Sequence, residues 1–443
     1  MKKYYSNETE KAFSNFDSIS KIPSELIKAY GEVKLAVLKA IQYEEKKYTN
    51  EEWDALETSL KELIEGKLNE NFPISLYQGG AGTSLNMNVN EVIASRANEI
   101  LEKKRFDPIE DINKYQSTND TFPTAATIFV YRNLLEVESL IIKLQEFLVN
   151  KENELGQILV TGRTEMQDAL PINLGQIFGS WAGMIERDRW RINKVKERIR
   201  TIALGGTAIG TGYPAPQKIV FASERFLREI TKLPLTRSQN LPDEVSNLDK
   251  YSELASILKI IAENLFKITG DLLLYTSSFI NEIIHPDLQT GSTIMAAKTN
   301  PVILEFVRGC SISIIYECDK ISEYTRNGQL QLNAYLPFVL ESFNLIFKLT
   351  KVSIEKFMEK FLAQLQINSQ KIEENLVNSK ALVNALIGVI GYKKVKEIYN
   401  VMMERKIKTI SELKEILKEK TDLKSEEIDF YLDPINITSF WRK

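Results

Sequence analysis

Between Gly291 and Pro301 two adjacent hydroxyls, Ser292 and Thr293, follow a glycine, and a point charge, Lys298, stands two residues before an amide donor, Asn300. The glycine lets the backbone turn tightly; the ammonium and the amide are donors of the kind that hold a carboxylate. The stretch is either an ordinary polar loop between helices or a mobile loop that presents hydroxyls to a ligand. Small donors recur elsewhere, at Thr83, Ser84, Ser117, Thr118, Asn119 and Thr164. One cation among many neutral donors suits a small dianion whose carboxylate charge grows during reaction. Serine acts as a base only where backbone N–H groups and a cation stabilise its alkoxide, which a glycine-preceded loop can supply.

Composition narrows the chemistry. Of 443 residues only His285 is a histidine, so Ser-His-Asp and Cys-His mechanisms and multi-histidine metal sites lack partners. Acid–base work must fall to carboxylates, lysine, tyrosine or activated hydroxyls, and His285, just before Pro286, reads as a structural or solvent-facing residue. Basic residues number 57 against 60 acidic ones, with neither a basic stripe for nucleic acid nor an acidic tail. Cys310 and Cys318 fall in one helical stretch, which disfavours a disulfide between them and suits a reduced cytosol. The first residues lack the apolar core of a signal peptide, and no run approaches the roughly 18 apolar residues of a membrane span. A soluble cytoplasmic protein is expected, without nucleic-acid or membrane partners.

The elements that must position these residues are mostly helices. A broad apolar face built from Leu26, Ile27, Tyr30, Val33, Leu35 and Leu38 predicts a helix over Pro23–Tyr43, and a second follows from about Glu51 to Leu68. Gln78–Ser84 carries three glycines before two hydroxyls, but no Gly-Lys-Ser/Thr follows to make a phosphate loop. Asn113–Asp120 clusters capping residues, with Asp120 or Thr121 expected to open a helix at Pro123. Leu134, Val137, Ile141, Leu144 and Leu148 alternate spacings of three and four, the seam of a helix packed lengthwise on others. Long helices are also expected over about Asp168–Leu204, Glu253–Ile283, Glu305–Glu323 and Leu336–Leu365. Five long helices imply a bundle, and such wide apolar faces imply an oligomer. Near the C-terminus Thr409 and Glu412 form a capping box, Ser425 begins another short helix, and Asp433 with Pro434 stops it.

The loop at Gly291–Pro301 resembles the signature of the aspartase/fumarase superfamily, Gly-Ser-Ser-x-Met-Pro-x-Lys-x-Asn-Pro, with Thr293 for the second serine and Ala296 for the proline. Gln78–Glu91, Gln116–Asp120, Gly162–Pro171, Leu204–Gly212 and Gly328–Asn333 resemble further segments of the family in the same order, and two of them are nearer the aspartase than the fumarase form. The resemblance implies a mainly α, three-domain fold: an N-terminal domain over 1–117, a central long-helix bundle over 118–371 and a small helical domain over 372–443. It implies a homotetramer with active sites shared between subunits, a small dicarboxylate or amino-acid substrate, and neither metal nor organic cofactor. Ser292 would be the base that takes a proton from the β-carbon. Thr83, Ser117, Thr118 and Thr293 would hold the β-carboxylate, with Ser84 beside Thr83. Thr164, Lys298 and Asn300 would hold the α-carboxylate, and Asn119 with Thr118 would orient the amine. The implied reaction is that of an aspartate ammonia-lyase; a lyase acting on a substituted aspartate and a fumarase are the alternatives.

Departures from the family pattern sharpen the expectation. Glu165 stands where relatives carry histidine or glutamine, and the residue paired with that histidine corresponds to Glu305. If the two carboxylates face each other, one is protonated or a cation such as a substrate ammonium lies between them; otherwise Glu165 makes a local hydrogen bond. Asp107–Asp111 replaces a histidine-rich anion site of fumarases and reverses its charge, and Lys11 stands where relatives often carry arginine.

Overall fold

A computed structural model describes residues 2–439. In chain order the main elements are α1 (Asn7–Phe16), α2 (Ser24–Glu45), α3 (Asn50–Ile64), α4 (Thr83–Ile100), α5 (Thr118–Glu154), β1 (Leu159–Thr164), β2 (Gln167–Asn173), α6 (Leu174–Ile199), α7 (Gln217–Thr231), α8 (Leu241–Ser246), α9 (Asp249–Tyr275), α10 (Val302–Thr325) and α11 (Leu336–Lys356), followed by short helices from Ser369 onward. The fold is mainly α, as the periodicity predicts. Its one substantial sheet is the antiparallel β1–β2 hairpin, and every other strand described has two residues.

The described chain divides into two compact units. The first holds the chain up to Glu138 with Trp190–Ile260 and Ser313–Thr350; the second holds Ser139–Arg189, Ile261–Ile312 and Lys351 onward. Each of α5, α6, α9, α10 and α11 contributes residues to both.

In the first unit α2 packs on α7 and α3, and α4 packs on α3 and α1. α2 is buried nearly all round: Leu26, Tyr30, Val33, Ala36 and Leu38 have no exposed surface, and neither does Lys34. Buried charge needs a partner, and Glu32 on the same helix finds one in the Arg132 guanidinium, bound through both oxygens at 2.8 and 2.9 Å. Glu91 on α4 fastens α1 by accepting from the backbone N–H of Ser6 and Glu8 and from Thr9 Oγ1 at 2.6 Å.

In the second unit Trp181 of α6 is buried against Phe178, and its indole N–H donates to Asp271. The C-terminal helices pack Leu376, Leu382, Ile398, Leu413, Leu417 and Ile428 into a core that includes Leu159 of β1. The capping box of Thr409 and Glu412 is present.

The apolar seam Leu134–Val137–Ile141–Leu144–Leu148 is fully buried. Phe306, Ile312 and Tyr316 on α10 and Trp190 on α6 remain exposed in the single chain.

Three expectations need correcting. The helix expected from Asp168 starts at Leu174, because residues 167–173 pair with β1 instead, with Pro171 opposite Thr161. The helix expected to reach Ile283 ends at Tyr275. α5 begins at Thr118 rather than at Pro123, which lies inside it; without an N–H, Pro123 leaves the Asn119 carbonyl without its intrahelical donor. The helix from Ser425 ends at Tyr431, just ahead of Asp433 and Pro434 as expected, and Asp433 also caps the next helix, accepting from the N–H of Ile435 and Asn436, with Pro434 in the first turn where its missing N–H costs nothing.

Candidate active site

The first unit carries Thr83, Ser84, Ser117, Thr118 and Asn119 at the N-termini of two helices. Thr83 is the first residue of α4, after Gly80, Ala81 and Gly82, all at positive φ. Gly82 is required sterically, since a Cβ there would lie 2.8 Å from the Phe122 ring of α5. That close approach brings the start of α4 against the first turns of α5. Thr83 Oγ1 donates to the Gly80 carbonyl at 2.8 Å, and Gln78 Oε1 accepts the N–H of Leu85, so Gln78 supplies a cap that the turn itself lacks.

The start of α5 is held by Asp120. One of its carboxylate oxygens accepts the Ser117 N–H at 3.0 Å and the other accepts the N–H groups of Gly205 and Thr207 at 3.2 and 3.0 Å. The glycines of Leu204–Gly212 thus let a tight loop close on Asp120. Burial pushes the Asp120 carboxyl up to about 6 even against these donors and the Lys34 charge. Asn119 Nδ2 donates to the Ala208 carbonyl, and Asn86 Nδ2 on α4 donates to Thr118 Oγ1 at 3.0 Å. Thr118 is buried, while Ser117 and Asn119 are half-buried. Two helix N-termini, each positive by its dipole, therefore carry the predicted hydroxyls and amide, with Thr83 Oγ1 and Asn119 Nδ2 each already donating to a backbone carbonyl.

The second unit carries Thr164, Glu165, Ser292, Thr293, Lys298, Asn300 and Glu305. Thr164 and Gln167 pair across the hairpin end, leaving Glu165 and Met166 as a two-residue turn, both at positive φ. That is the turn geometry whose twist matches a hairpin. Below it Arg163 crosses to the buried Glu282 carboxylate at 2.7 and 3.2 Å, and Asn375 Nδ2 donates to the same carboxylate at 2.9 Å.

The loop from Gly291 is tied shut at its base. Gly291 N–H donates to the Lys298 carbonyl and Asn300 Nδ2 donates to the Gly291 carbonyl at 2.8 Å. A Cβ at Gly291 would lie 2.4 Å from the Lys298 carbonyl oxygen, so only glycine closes this ring. Inside it Ser292 Oγ accepts two backbone N–H groups, from Ile294 at 3.2 Å and Met295 at 2.9 Å. Thr293 and Lys298 are exposed, and the Lys298 ammonium has no hydrogen-bond or carboxylate partner among the described residues. Glu165 and Glu305 are both exposed, and among the described residues no hydrogen bond joins them.

Some outlying motif residues prove structural. Asp107 caps the turn over Pro108–Ile112, and buried Asp111 pairs with Lys47 at 2.8 Å and with Arg105. Lys11 pairs with Glu8 on the surface of α1. His285 lies within 3.2 Å of the Pro286 carbonyl. Sequence reasoning missed Lys34, Asn86 and Glu282. The available signal for Lys34 was a charge set between apolar neighbours, Val33-Lys34-Leu35; Glu282, after Asn281, and Asn86 carried no such local sign.

A family profile described as Lyase matches residues 2–315. The chain is 32% identical to an aspartate ammonia-lyase of Bacillus subtilis over 446 residues, covering 98% of this chain and 92% of that one. It is equally 32% identical to a class II fumarate hydratase of Thermus aquaticus over 450 residues, covering 98% and 95%. A solved fumarate lyase:delta crystallin from Brucella melitensis superposes with a TM-score of 0.89 at 32% identity, covering 98% and 96%. The chain belongs to the aspartase/fumarase superfamily, and it is a lyase. Among the described residues no helix is long and apolar enough to cross a membrane.

Proposed function

We propose that the protein is an aspartate ammonia-lyase-like carbon–nitrogen lyase that converts L-aspartate to fumarate and ammonia. The observation that carries this reading is the pair of backbone N–H groups on Ser292 Oγ, in a glycine-closed loop that also presents Lys298 and Asn300. Two donors aimed at a hydroxyl oxygen stabilise its alkoxide, which gives serine the basicity the step needs.

Ser292 as alkoxide takes a proton from the β-carbon, and the electron pair left there is delocalised into the adjacent carboxylate as an enediolate-like dianion. Thr83, Ser117, Thr118 and Thr293 hold that carboxylate, with Ser84 beside them. Hydrogen bonds that strengthen as charge develops lower the barrier, whereas uniform binding would not. Thr164, Lys298 and Asn300 hold the α-carboxylate, and Asn119 with Thr118 orients the amine. The electron pair then forms the carbon–carbon double bond as the carbon–nitrogen bond breaks and ammonia departs. The working form is a cytoplasmic homotetramer in which motif segments of different copies build each site. Exposed Phe306, Tyr316 and Trp190, and Ile294 at the loop tip, 90% exposed, support an assembly that covers them. The sequence segments 1–117, 118–371 and 372–443 are its N-terminal, bundle and C-terminal domains.

The second reading is fumarase chemistry, supported by class II fumarate hydratases matching at the same identity. The structural roles of Asp107 and Asp111 count against it, since neither offers an anion site. Glu165, with no hydrogen-bond partner among the described residues, favours an ammonium substrate and also keeps a substituted aspartate in view. The test offers purified protein L-aspartate and L-malate separately and follows fumarate by its ultraviolet absorbance. Turnover of aspartate alone is expected. Turnover of malate supports fumarase, and silence with both moves the reading to a substituted aspartate.

A further inference from the structure

Lys34 is the one lysine on α2 with no exposed surface, set between Val33 and Leu35, and the candidate reaction does not use it. An ammonium buried this deeply must earn its place through a specific contact. Its Nζ lies 3.0 Å from Asn113 Oδ1, the Tyr30 ring lies 5.6 Å away, and the opposing charge facing it is Asp120.

As an ammonium Lys34 only donates hydrogen bonds, so the Asn113 atom it meets is the amide oxygen. The Asn113 NH2 consequently turns the other way and donates to the Gln116 carbonyl at 3.2 Å. The same Asn113 oxygen accepts Nδ2 of Asn86 at 3.1 Å and Nδ2 of Asn90 at 3.2 Å, which sets the sense of both α4 amides. Reversing Asn86 would press two amide oxygens together. Its NH2 therefore also reaches Thr118 Oγ1 at 3.0 Å, and that hydroxyl accepts. A hydroxyl whose lone pair is taken from inside directs its single proton elsewhere. In this arrangement Asn86 Oδ1 and Asn90 Oδ1 are buried without a hydrogen-bond partner among the described residues. Amides free to choose would not accept that cost, so their sense is imposed.

We infer that Lys34 is a positioning residue: through Asn113 and Asn86 it fixes the Thr118 hydroxyl as a hydrogen-bond donor toward a substrate carboxylate. The inference rests on Thr118 being a carboxylate-binding residue, as in the proposed function. Every member of the chain of contacts lies in the first unit.

The experiment measures calorimetric Kd for fumarate, which is common to the aspartase and fumarase readings, on the intact protein. The variants are Lys34→Met, Thr118→Val and the double substitution. Each single change is expected to weaken fumarate about tenfold, the scale of one hydrogen bond to a charged group. The double variant is expected to bind no more weakly than Thr118→Val alone. A merely structural lysine would lower the melting temperature and leave fumarate affinity intact, or add its effect to that of Thr118→Val; either result overturns the inference. Asn86→Leu cuts the chain without touching the charge and covers the case in which Lys34→Met does not fold. Its loss is expected to match, and wild-type affinity in Asn86→Leu also overturns the inference. Failure of the underlying reading has its own signature: Thr118→Val binds as wild type, or the wild-type protein does not bind fumarate.

Discussion

Arg163 and Glu282 meet through two hydrogen bonds, at 2.7 and 3.2 Å, across 119 residues of sequence, with the carboxylate fully buried. This pair fastens the hairpin that carries Thr164 and Glu165 to the segment that leads into the Ser292 loop. Glu282→Gln leaves Arg163 only Asp168, at 3.6 Å, as a carboxylate partner among the described residues. A loss of about 3 kcal/mol is expected for breaking a buried pair, read as a lower urea midpoint against wild type.

Ser292→Ala removes the proposed base and leaves the loop ring of Gly291, Lys298 and Asn300 untouched. Turnover of L-aspartate is expected to fall at least about a thousandfold, with fumarate affinity changed little. Full turnover in Ser292→Ala would remove serine from the mechanism.

Glu165 sits at the hairpin turn at positive φ, with no hydrogen-bond partner among the described residues. A carboxylate so placed can face a substrate ammonium. Glu165→Gln is expected to lower kcat/KM for L-aspartate about tenfold, the value of one charge-assisted hydrogen bond, while fumarate affinity holds. An unchanged rate and pH profile in an intact oligomer would make the carboxylate incidental.

Burial gives Lys34 and Asp120 opposite pH signatures. It pulls the Lys34 ammonium from 10.5 down to about 7, with Asp120 opposing. The unfolded chain then binds more protons than the folded one between those values, so stability rises with pH from about 7 toward 10.5. The Asp120 carboxyl is pushed from 3.8 up to about 6, so its contribution is present at low pH and is lost as pH rises through that window. Unfolding midpoints followed over pH are expected to lose the alkaline rise in Lys34→Met and the acidic fall in Asp120→Asn.

Gly82 combines φ of 92° with a Cβ position 2.8 Å from the Phe122 ring. Gly82→Ala must strain the backbone and push the ring together. A cost of about 2 kcal/mol is expected, measured as a lowered melting temperature, with weaker fumarate binding because Thr83 and Ser84 follow directly.

The fold class and the motif positions were legible in the chain because both are local. A buried seam such as Leu134 to Leu148 repeats its apolar side every three or four residues, and this period depends on helix geometry rather than on the neighbour that covers it. The glycine before Ser292 and the capping box at Thr409 are likewise read within a few residues, whereas Asn300, read as a carboxylate donor, also closes its loop on the Gly291 carbonyl. What the tertiary structure alone decided is which alternative use a polar or helix-compatible stretch takes. Residues 167–173 pair as a strand because β1 lies beside them, and Asp433 caps the helix that follows it. The same is true of buried charge. Lys34 reads as an interruption of an apolar helix until Asn113, 79 residues away, supplies the oxygen that makes its burial tolerable. Local periodicity reports which face of an element is apolar, but the free energy of a buried donor or charge depends on a partner brought in by packing, and distant partners leave no periodic trace in the sequence.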